Sequence, residues 1–150
     1  MAEIRIAAEG DVAAPAEEVY GYIADYREHH PRFLPPAFSN YEVEAGGMGE
    51  GTVVSFRLKA GMRERVYRMR VTEPSPGSVL VESDLDSSLV TTFTVTPQGS
   101  GSRVQIATQW QGAGGIGGFF ERTFAPGVLR KLYGEELTNL DRYAREQHTT

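Results

Sequence analysis

Alternating apolar and polar residues dominate the middle of the chain. Between Phe38 and Gly112, apolar side chains recur at every second position in short runs, and clusters of glycine, proline, aspartate and serine separate these runs. A repeat of two is typical of a strand with one buried and one solvated face, and the clusters are typical of turns. The segment therefore predicts six strands of an antiparallel meander. The same alternation over Glu3 to Val12 predicts a seventh strand at the start of the chain.

Two segments carry helical spacing instead. After Pro15, apolar residues recur at intervals of three and four, which predicts a short helix, and Asp25 to His30 are expected to add another helical turn. The second segment predicts a long helix near the end of the chain. Its apolar stripe consists of Leu129, Leu132, Tyr133, Leu137, Leu140 and Ala144. Glu135 and Glu136 are assigned to the polar remainder of this helix.

The long helix is expected to extend upstream over Phe119, Phe120 and Phe124, with a kink or a break at Pro126-Gly127. A sheet with one apolar face must cover that face, and this helix is the only predicted element long enough to do so. The order of elements thus predicts one α+β domain over residues 1–150. In it, a curved seven-stranded antiparallel sheet wraps around the C-terminal helix, and a short helical pair follows strand 1.

The composition mainly removes classes of function. The chain holds 17 glycines and 8 prolines among 150 residues, an excess that agrees with many turns. A net charge of −5 gives no electrostatic basis for binding nucleic acid or anionic lipid headgroups. The absence of cysteine excludes disulfides, zinc–thiolate sites and iron–sulfur clusters. Without a secretory signal or an integral membrane segment in the sequence, we expect a cytoplasmic protein.

Histidines and glycines offer no recognised catalytic motif. His29 and His30 lie in a charged segment before Pro31 and are expected to be exposed, so neither is a candidate for catalysis. No spacing suggests a metal site, a nucleophile elbow or a cofactor, and none is expected. The five glycines of Gly112 to Gly118 match neither phosphate-binding pattern. This run is expected to be a flexible connection or the hinge of a lid.

Two predicted strands contain charged residues, and alternation assigns each of them to the buried or the solvated face of the sheet. By alternation, Arg63 and Arg65 share the buried face of Tyr67. Arg65 could therefore bind a carboxylate or phenolate at the mouth of a cavity, or it could lie beyond the core with its charge in water. Glu82 and Asp84 are expected to face outward, which argues against a catalytic pair of carboxylates.

Several passages resemble the START-like helix-grip (SRPBCC) superfamily, and within it the polyketide cyclase/dehydrase and lipid-transport proteins. The passages are Val12 to Tyr26, Gly49 to Val54, Val71 to Gly77 and Glu135 to Leu140. The likeness covers nearly the whole chain and concerns architecture, without a catalytic signature. It implies a helix-grip fold with an apolar cavity between the sheet and the C-terminal helix.

The cavity that the resemblance implies should be lined by inward strand positions and by the inner face of the long helix. The expected ligand-binding residues are Phe56, Arg65, Tyr67, Met69, Thr91, Phe93, Thr108, Trp110, Phe120, Phe124 and Leu132. Aromatic side chains supply apolar surface, and the threonine hydroxyls supply points of orientation.

Three functions are compatible with this picture. The first is binding of a small, largely hydrophobic molecule such as a lipid, polyketide, quinone or aromatic metabolite. The second is a polyketide cyclase, aromatase or dehydratase, for which Arg65 and Tyr67 are the available ionisable residues. The third is a protein that docks another chain on its sheet. Either a monomer or a homodimer fits the sequence.

Overall fold

A computed structural model describes residues 3–60, 63–111 and 126–148. The strands are β1 (Glu3–Val12), β2 (Phe38–Ala45), β3 (Val53–Ala60), β4 (Arg63–Ser75), β5 (Val79–Asp84), β6 (Val90–Gln98) and β7 (Gly101–Gln111). They form one antiparallel sheet in the order β1-β7-β6-β5-β4-β3-β2. The predicted seven-stranded helix-grip fold is confirmed.

The helices are α1 (Ala16–Ala24), a 3₁₀ turn (His30–Phe33) and α2 (Pro126–Gln147). Helix α1 and the 3₁₀ turn form the short helical pair after β1. Pro15 stands directly before α1, and two acidic residues in the first turn favour the positive end of the helix dipole. No helix within the described ranges combines the length and apolar character needed to cross a membrane. The predicted hinge Gly112 to Gly118 and the upstream part of the long helix lie outside the described residues.

The first and last strands along the sequence, β1 and β7, are neighbours in the sheet. β1 pairs with β7 over its whole length, from Glu3 opposite Gln111 to Val12 opposite Ser102. Helix α2 packs closely on β1, because a Cβ atom placed on Gly10 would lie 3.4 Å from the Cβ atom of Leu137. Only a residue with little side-chain bulk therefore fits at this crossing. β1 and β2 form the two edges of the sheet.

The inner face of the sheet and the facing side of α2 enclose the apolar core. The inward positions predicted from alternation are buried along β4, β6 and β7, whereas Arg57, Arg68 and Arg70 are exposed on the outer face. On α2, Leu129, Leu137 and Leu140 are buried. The apolar periodicity therefore identified the buried side of these elements.

Strand β5 has the opposite orientation to the predicted one. Glu82 and Asp84, expected to face outward, are 7% and 6% exposed, and Leu80 between the two valines is fully buried. The reason lies in the strand register. Glu82 stands opposite Val71 in β4 and Thr91 in β6, and residues directly opposite one another share a face of the sheet.

Two further predictions were wrong. His30, expected in an exposed turn, is 3% exposed because the 3₁₀ turn packs it against Tyr26 and Phe33. Glu136, assigned to the polar side of the long helix, is also 3% exposed. It lies three residues after Tyr133 and four before Leu140, so it falls within the apolar stripe of α2. His29 is partly exposed.

Candidate functional site

A cavity of about 50 Å³ lies between the inner face of the sheet and α2. This volume is large enough for only a few water molecules. Its apolar lining comprises Leu34, Phe38, Val54, Phe56, Leu58, Met69, Leu89, Phe93 and Leu129. Its polar lining comprises Tyr26, His30, Tyr41, Tyr67, Glu82, Thr91, Tyr133 and Glu136. The cavity is thus mostly apolar but holds ionisable groups.

The structure brings part of the predicted set of ligand-binding residues together. Phe56, Tyr67, Met69, Thr91 and Phe93 line the cavity. The second group packs nearby without lining it and consists of Arg65, Thr108, Trp110 and Leu132. Phe120 and Phe124 lie outside the described residues. Alternation finds the inward face of a strand, but it does not say which inward residues meet a cavity.

Thr108 is linked to the cavity through two hydroxyl groups. Its Oγ1 atom lies 2.7 Å from Oγ1 of Thr91 and 2.5 Å from the hydroxyl oxygen of Tyr133, and Thr108 itself has no exposed surface. Both partners line the cavity. Burial raises the pKa of Tyr133 to about 12, so its hydroxyl keeps its proton at neutral pH. Thr108 therefore does not line the cavity itself, but it orients the hydroxyl groups of two residues that do.

Trp110 and Leu132 belong to the solid core. Trp110 is 1% exposed and stands opposite Ile4 in the β1–β7 pair. Leu132 is buried on α2, whereas its helix neighbours Leu129 and Tyr133 face the cavity. Neither residue lines the cavity, contrary to the expectation from the sequence.

Arg65 lies neither at the cavity lining nor in water. Its side chain is 13% exposed, and its Nη2 atom donates a hydrogen bond of 2.9 Å to Oδ2 of Asp84. The guanidinium carbon lies 4.3 Å from the centre of the Tyr67 ring, a cation–π contact. Asp84 also accepts a hydrogen bond from the hydroxyl of Ser87 at 2.6 Å. The carboxylate that Arg65 binds is therefore one of the protein's own.

Four ionisable side chains form a second polar group, which we call the carboxyl cluster: Tyr26, His30, Glu82 and Glu136. The hydroxyl of Tyr26 donates a hydrogen bond of 2.5 Å to Oε2 of Glu82, and its ring stacks on His30 with centroids 4.3 Å apart. The 3₁₀ turn, β5 and α2 supply the other three members. These elements are distant in sequence, so only the folded chain assembles the cluster.

His30 presents an unprotonated nitrogen to this cluster. Its Nδ1 atom lies 2.7 Å from the carbonyl oxygen of Ile23. Because a carbonyl can only accept, Nδ1 carries the proton and Nε2 has a free lone pair. Nε2 lies 3.9 Å from Oε2 of Glu82. Burial lowers the pKa of His30 to about 4, so the two groups do not form an ion pair at neutral pH.

The two carboxyl groups of the cluster are harder to ionise than ordinary glutamates. Burial raises the pKa of Glu82 to about 7, although the hydrogen bond from Tyr26 opposes this shift. Burial also raises the pKa of Glu136 well above its ordinary value, and the charge of Glu82 raises it further. Near neutral pH, Glu82 is therefore present in both protonation states, as efficient general acid–base catalysis requires.

Four site residues were not predicted from the sequence: Tyr26, His30, Glu82 and Glu136. Two signals for them were present. Tyr26, His30 and Phe33 follow a spacing of four and three, which would place them on one side of a helical turn. Glu136 occupies an apolar-stripe position on α2. Within the described ranges, no group of three His, Asp or Glu side chains is arranged to hold a metal ion.

Comparison with known proteins places this arrangement in context. The sequence profile of the family described as polyketide cyclase / dehydrase and lipid transport matches residues 3–145. The NMR structure of the KanY protein is 37% identical, with a TM-score of 0.85, over 97% of this chain and 99% of that chain. No curated protein matches the sequence.

More distant structures share the fold. The Zhui aromatase/cyclase from a Streptomyces species is 15% identical with a TM-score of 0.77, over 97% of this chain and 96% of that chain. A norcoclaurine synthase from Thalictrum flavum, in complex with dopamine and hydroxybenzaldehyde, is 18% identical with a TM-score of 0.73. That match covers 97% of this chain and 88% of the synthase. At these identities the likeness concerns the fold alone.

Proposed function

Since the chain belongs to the polyketide cyclase / dehydrase and lipid transport family, we propose that it binds a small, largely apolar molecule in the cavity between the sheet and α2. The observation that carries this proposal is a partly enclosed space bounded mainly by aliphatic and aromatic side chains. Apolar surfaces that enclose a few polar groups are the usual form of a small-molecule site.

The size of the cavity limits the ligand. A volume of about 50 Å³ is smaller than the roughly 150 Å³ of a cavity known to hold one benzene ring, so lining side chains must move when a ligand enters. Leu34, Phe38 and Phe56 are partly exposed lining residues, and they lie directly after the 3₁₀ turn, at the start of β2 and in β3. The described part of the cavity is least covered on this side. Burying roughly 200 Å² of apolar ligand surface would contribute about 5 kcal/mol.

A titration followed by amide chemical shifts in NMR tests this proposal. The probes are 2-phenylethanol and 1-naphthol, and the largest shifts are expected at lining residues. The variant Leu34→Trp places a large side chain at the least covered side and should weaken binding at least tenfold. The control Leu85→Trp adds the same side chain at a position that is 38% exposed and does not line the cavity. Shifts scattered over the outer face of the sheet would contradict binding in the cavity.

A second function, acid–base catalysis, is favoured by Glu82. This buried carboxyl can both accept and donate a proton near neutral pH, and it lies against the apolar space where a substrate would sit. Proton transfer beside a carbonyl group is a step of polyketide cyclisation and dehydration. Arg65 and Tyr67, the pair expected from the sequence, support this function less, because Arg65 is held by Asp84.

Hydrogen–deuterium exchange at the methyl group of acetophenone isolates this proton transfer from any later step. In D₂O at neutral pH, the protein should accelerate the exchange, as followed by proton NMR. Glu82→Gln should abolish the acceleration, while Glu42→Gln, at an exposed position on β2, should leave it unchanged. Exchange at the buffer rate with the unmodified protein would restrict the function to binding.

A further inference from the structure

The hydrogen-bond donors of the tyrosine and histidine side chains around the carboxyl cluster are already engaged within the protein. The hydroxyl of Tyr26 donates to Glu82, and the hydroxyl of Tyr41 donates to the carbonyl oxygen of Tyr26 at 2.7 Å. The Nδ1 proton of His30 is engaged by the carbonyl oxygen of Ile23. These donors are thus used within the protein. The groups left to face a ligand are the Nε2 atom of His30, which accepts, and the two carboxyl groups, which only accept when ionised and keep one O–H when protonated.

Glu136 has no partner of its own among the described residues. Its side chain lines the cavity and is 3% exposed, yet no hydrogen bond or ion pair joins it to another described side chain or to the described backbone. A buried carboxyl group without a partner is costly to the fold. Such a cost is compensated when a ligand supplies the missing donor.

Cationic side chains are also missing from the described lining. No lysine or arginine is present among the described residues that line the cavity. Arg65, which stacks on the lining residue Tyr67, is already paired with Asp84. A ligand that carries a carboxylate or phosphate would therefore place its negative charge beside two carboxyl groups and oppose their ionisation, with no cation in the described lining to balance it.

We propose that the ligand is a compact apolar molecule with a basic nitrogen, which binds as an ammonium group between Glu82 and Glu136. An ammonium group offers several donors and no acceptor, which is the complement of the carboxyl oxygens and of His30 Nε2. This inference rests on the binding function proposed above and narrows it to one class of ligand.

Proton release on binding is a second consequence. Glu82 of β5, Tyr26 after α1, His30 of the 3₁₀ turn and Tyr133 of α2 are the titratable groups around Glu136. Because burial favours the protonated form of both carboxyl groups, an ammonium ion beside them should expel protons near neutral pH. The number released should be about one per bound amine.

Isothermal titration calorimetry with three probes tests the charge preference. The probes 2-phenylethylamine, 2-phenylethanol and phenylacetate share an apolar ring and differ in their polar end. At pH 7 the amine should bind at least tenfold more tightly than the alcohol, and phenylacetate should bind most weakly. Repeating the amine titration in two buffers of different ionisation enthalpy should reveal the released proton.

Two matched variants locate the preference. Glu136→Gln should weaken binding of the amine at least tenfold and change binding of the alcohol less than threefold. Glu135→Gln, which alters the exposed neighbour on the same helix, should change neither affinity. Thermal denaturation verifies that both variants are folded. If Glu136→Gln does not fold, Glu82→Gln, which keeps an acceptor for Tyr26, serves in its place.

The outcomes separate the two proposals. If the alcohol binds in the cavity as tightly as the amine, the inference about the nitrogen is wrong while the binding function stands. The same conclusion follows if Glu136→Gln or its replacement keeps the full preference for the amine. If none of the three probes binds, the binding function itself fails, and the inference fails with it.

Discussion

Two buried carboxylates on β5, Glu82 and Asp84, lie two residues apart on the same face of the sheet and have very different surroundings. Asp84 accepts hydrogen bonds from the guanidinium of Arg65 at 2.9 Å and from the hydroxyl of Ser87 at 2.6 Å. Glu82 accepts one from the hydroxyl of Tyr26, and its other neighbours include a neutral imidazole. One carboxylate is thus paired with a cation, and the other faces a cavity whose described lining holds none.

The difference separates a structural role from a functional one. A buried charge with a well-placed partner holds strands together, and β4 and β5 are joined in this way by Arg65 and Asp84. A buried carboxyl group without a cation costs stability at neutral pH but is available for a ligand or a proton. Both carboxyl groups are buried, so burial alone does not distinguish them. Glu82 is a candidate site residue because it is buried without a cationic partner among the described residues.

The largest expected effect comes from removing the partner of Asp84. Arg65→Met keeps an apolar contact with Tyr67 but leaves the carboxylate of Asp84, which has no exposed side-chain surface, without a cation. We expect a loss of about 4 kcal/mol in the free energy of unfolding at pH 8. Urea denaturation measures it. A loss below about 1 kcal/mol would mean that the ion pair is not what distinguishes Asp84 from Glu82.

Glu82→Gln should have the opposite sign at high pH. Burial raises the pKa of Glu82 from 4.5 to about 7 on folding, so its stabilising contribution is full below pH 4.5 and is lost as the pH rises through 7. Relative to the unmodified protein, the variant should be little changed at pH 4.5 and more stable by up to roughly 3 kcal/mol at pH 8.

Urea denaturation at several pH values checks the Glu82→Gln prediction. The pKa of His30, which folding lowers from 6.5 to about 4, gives the opposite pH dependence between these values. Because His30 is present in both proteins, the difference between them isolates Glu82. The control Glu42→Gln should show no such dependence, and an equal gain at every pH would refute the assigned ionisation.

Tyr26→Phe should have a smaller effect, since it removes one hydrogen bond to Glu82. We expect a loss of about 2 kcal/mol at pH 8, where Glu82 is charged, and less at pH 5. The pKa of Glu82, followed by carbon NMR of its carboxyl group, should rise because the hydrogen bond from Tyr26 lowers it. Tyr22→Phe is the control, because its hydroxyl donates at 2.8 Å to the more exposed carboxylate of Glu18. An unchanged titration of Glu82 would contradict the role of Tyr26.

The smallest effect is expected on the outer face of the sheet. Arg57 and Glu64 form an ion pair of 2.6 Å, but their side chains are 46% and 38% exposed. Arg57→Met should therefore cost less than about 1 kcal/mol in urea denaturation, and added salt should reduce the cost. A loss as large as that of Arg65→Met would show that pairing matters regardless of burial.

The sequence predicted the elements with strong periodicity. One-sided burial imposes alternation on a strand and a spacing of three and four on a helix, and the meander and α2 carry these patterns over many residues. β5 carries no such pattern. Its six residues include apolar side chains on both faces, with Val79 and Val81 on one face and Leu80 on the other.

The face of β5 is decided by its neighbours instead. Val71 and Thr91, both expected to face inward, stand opposite Glu82 and so place its carboxyl group inside. This register is a long-range property, which alternation within one strand does not contain. Glu136 illustrates a different error, since its residue type was given more weight than its position in the apolar stripe of α2.

The pairing of β1 with β7 has a consequence for how the protein is made. Residues 3–12 find their partners at residues 102–111, so the first strand leaves the ribosome long before the strand it pairs with. Contacts this distant in sequence slow folding, and an unpaired strand that waits is exposed to association with other chains. In the nascent chain the sheet can therefore close only after residues 102–111 have emerged, and α2 can pack on β1 only after residues 126–147 have emerged.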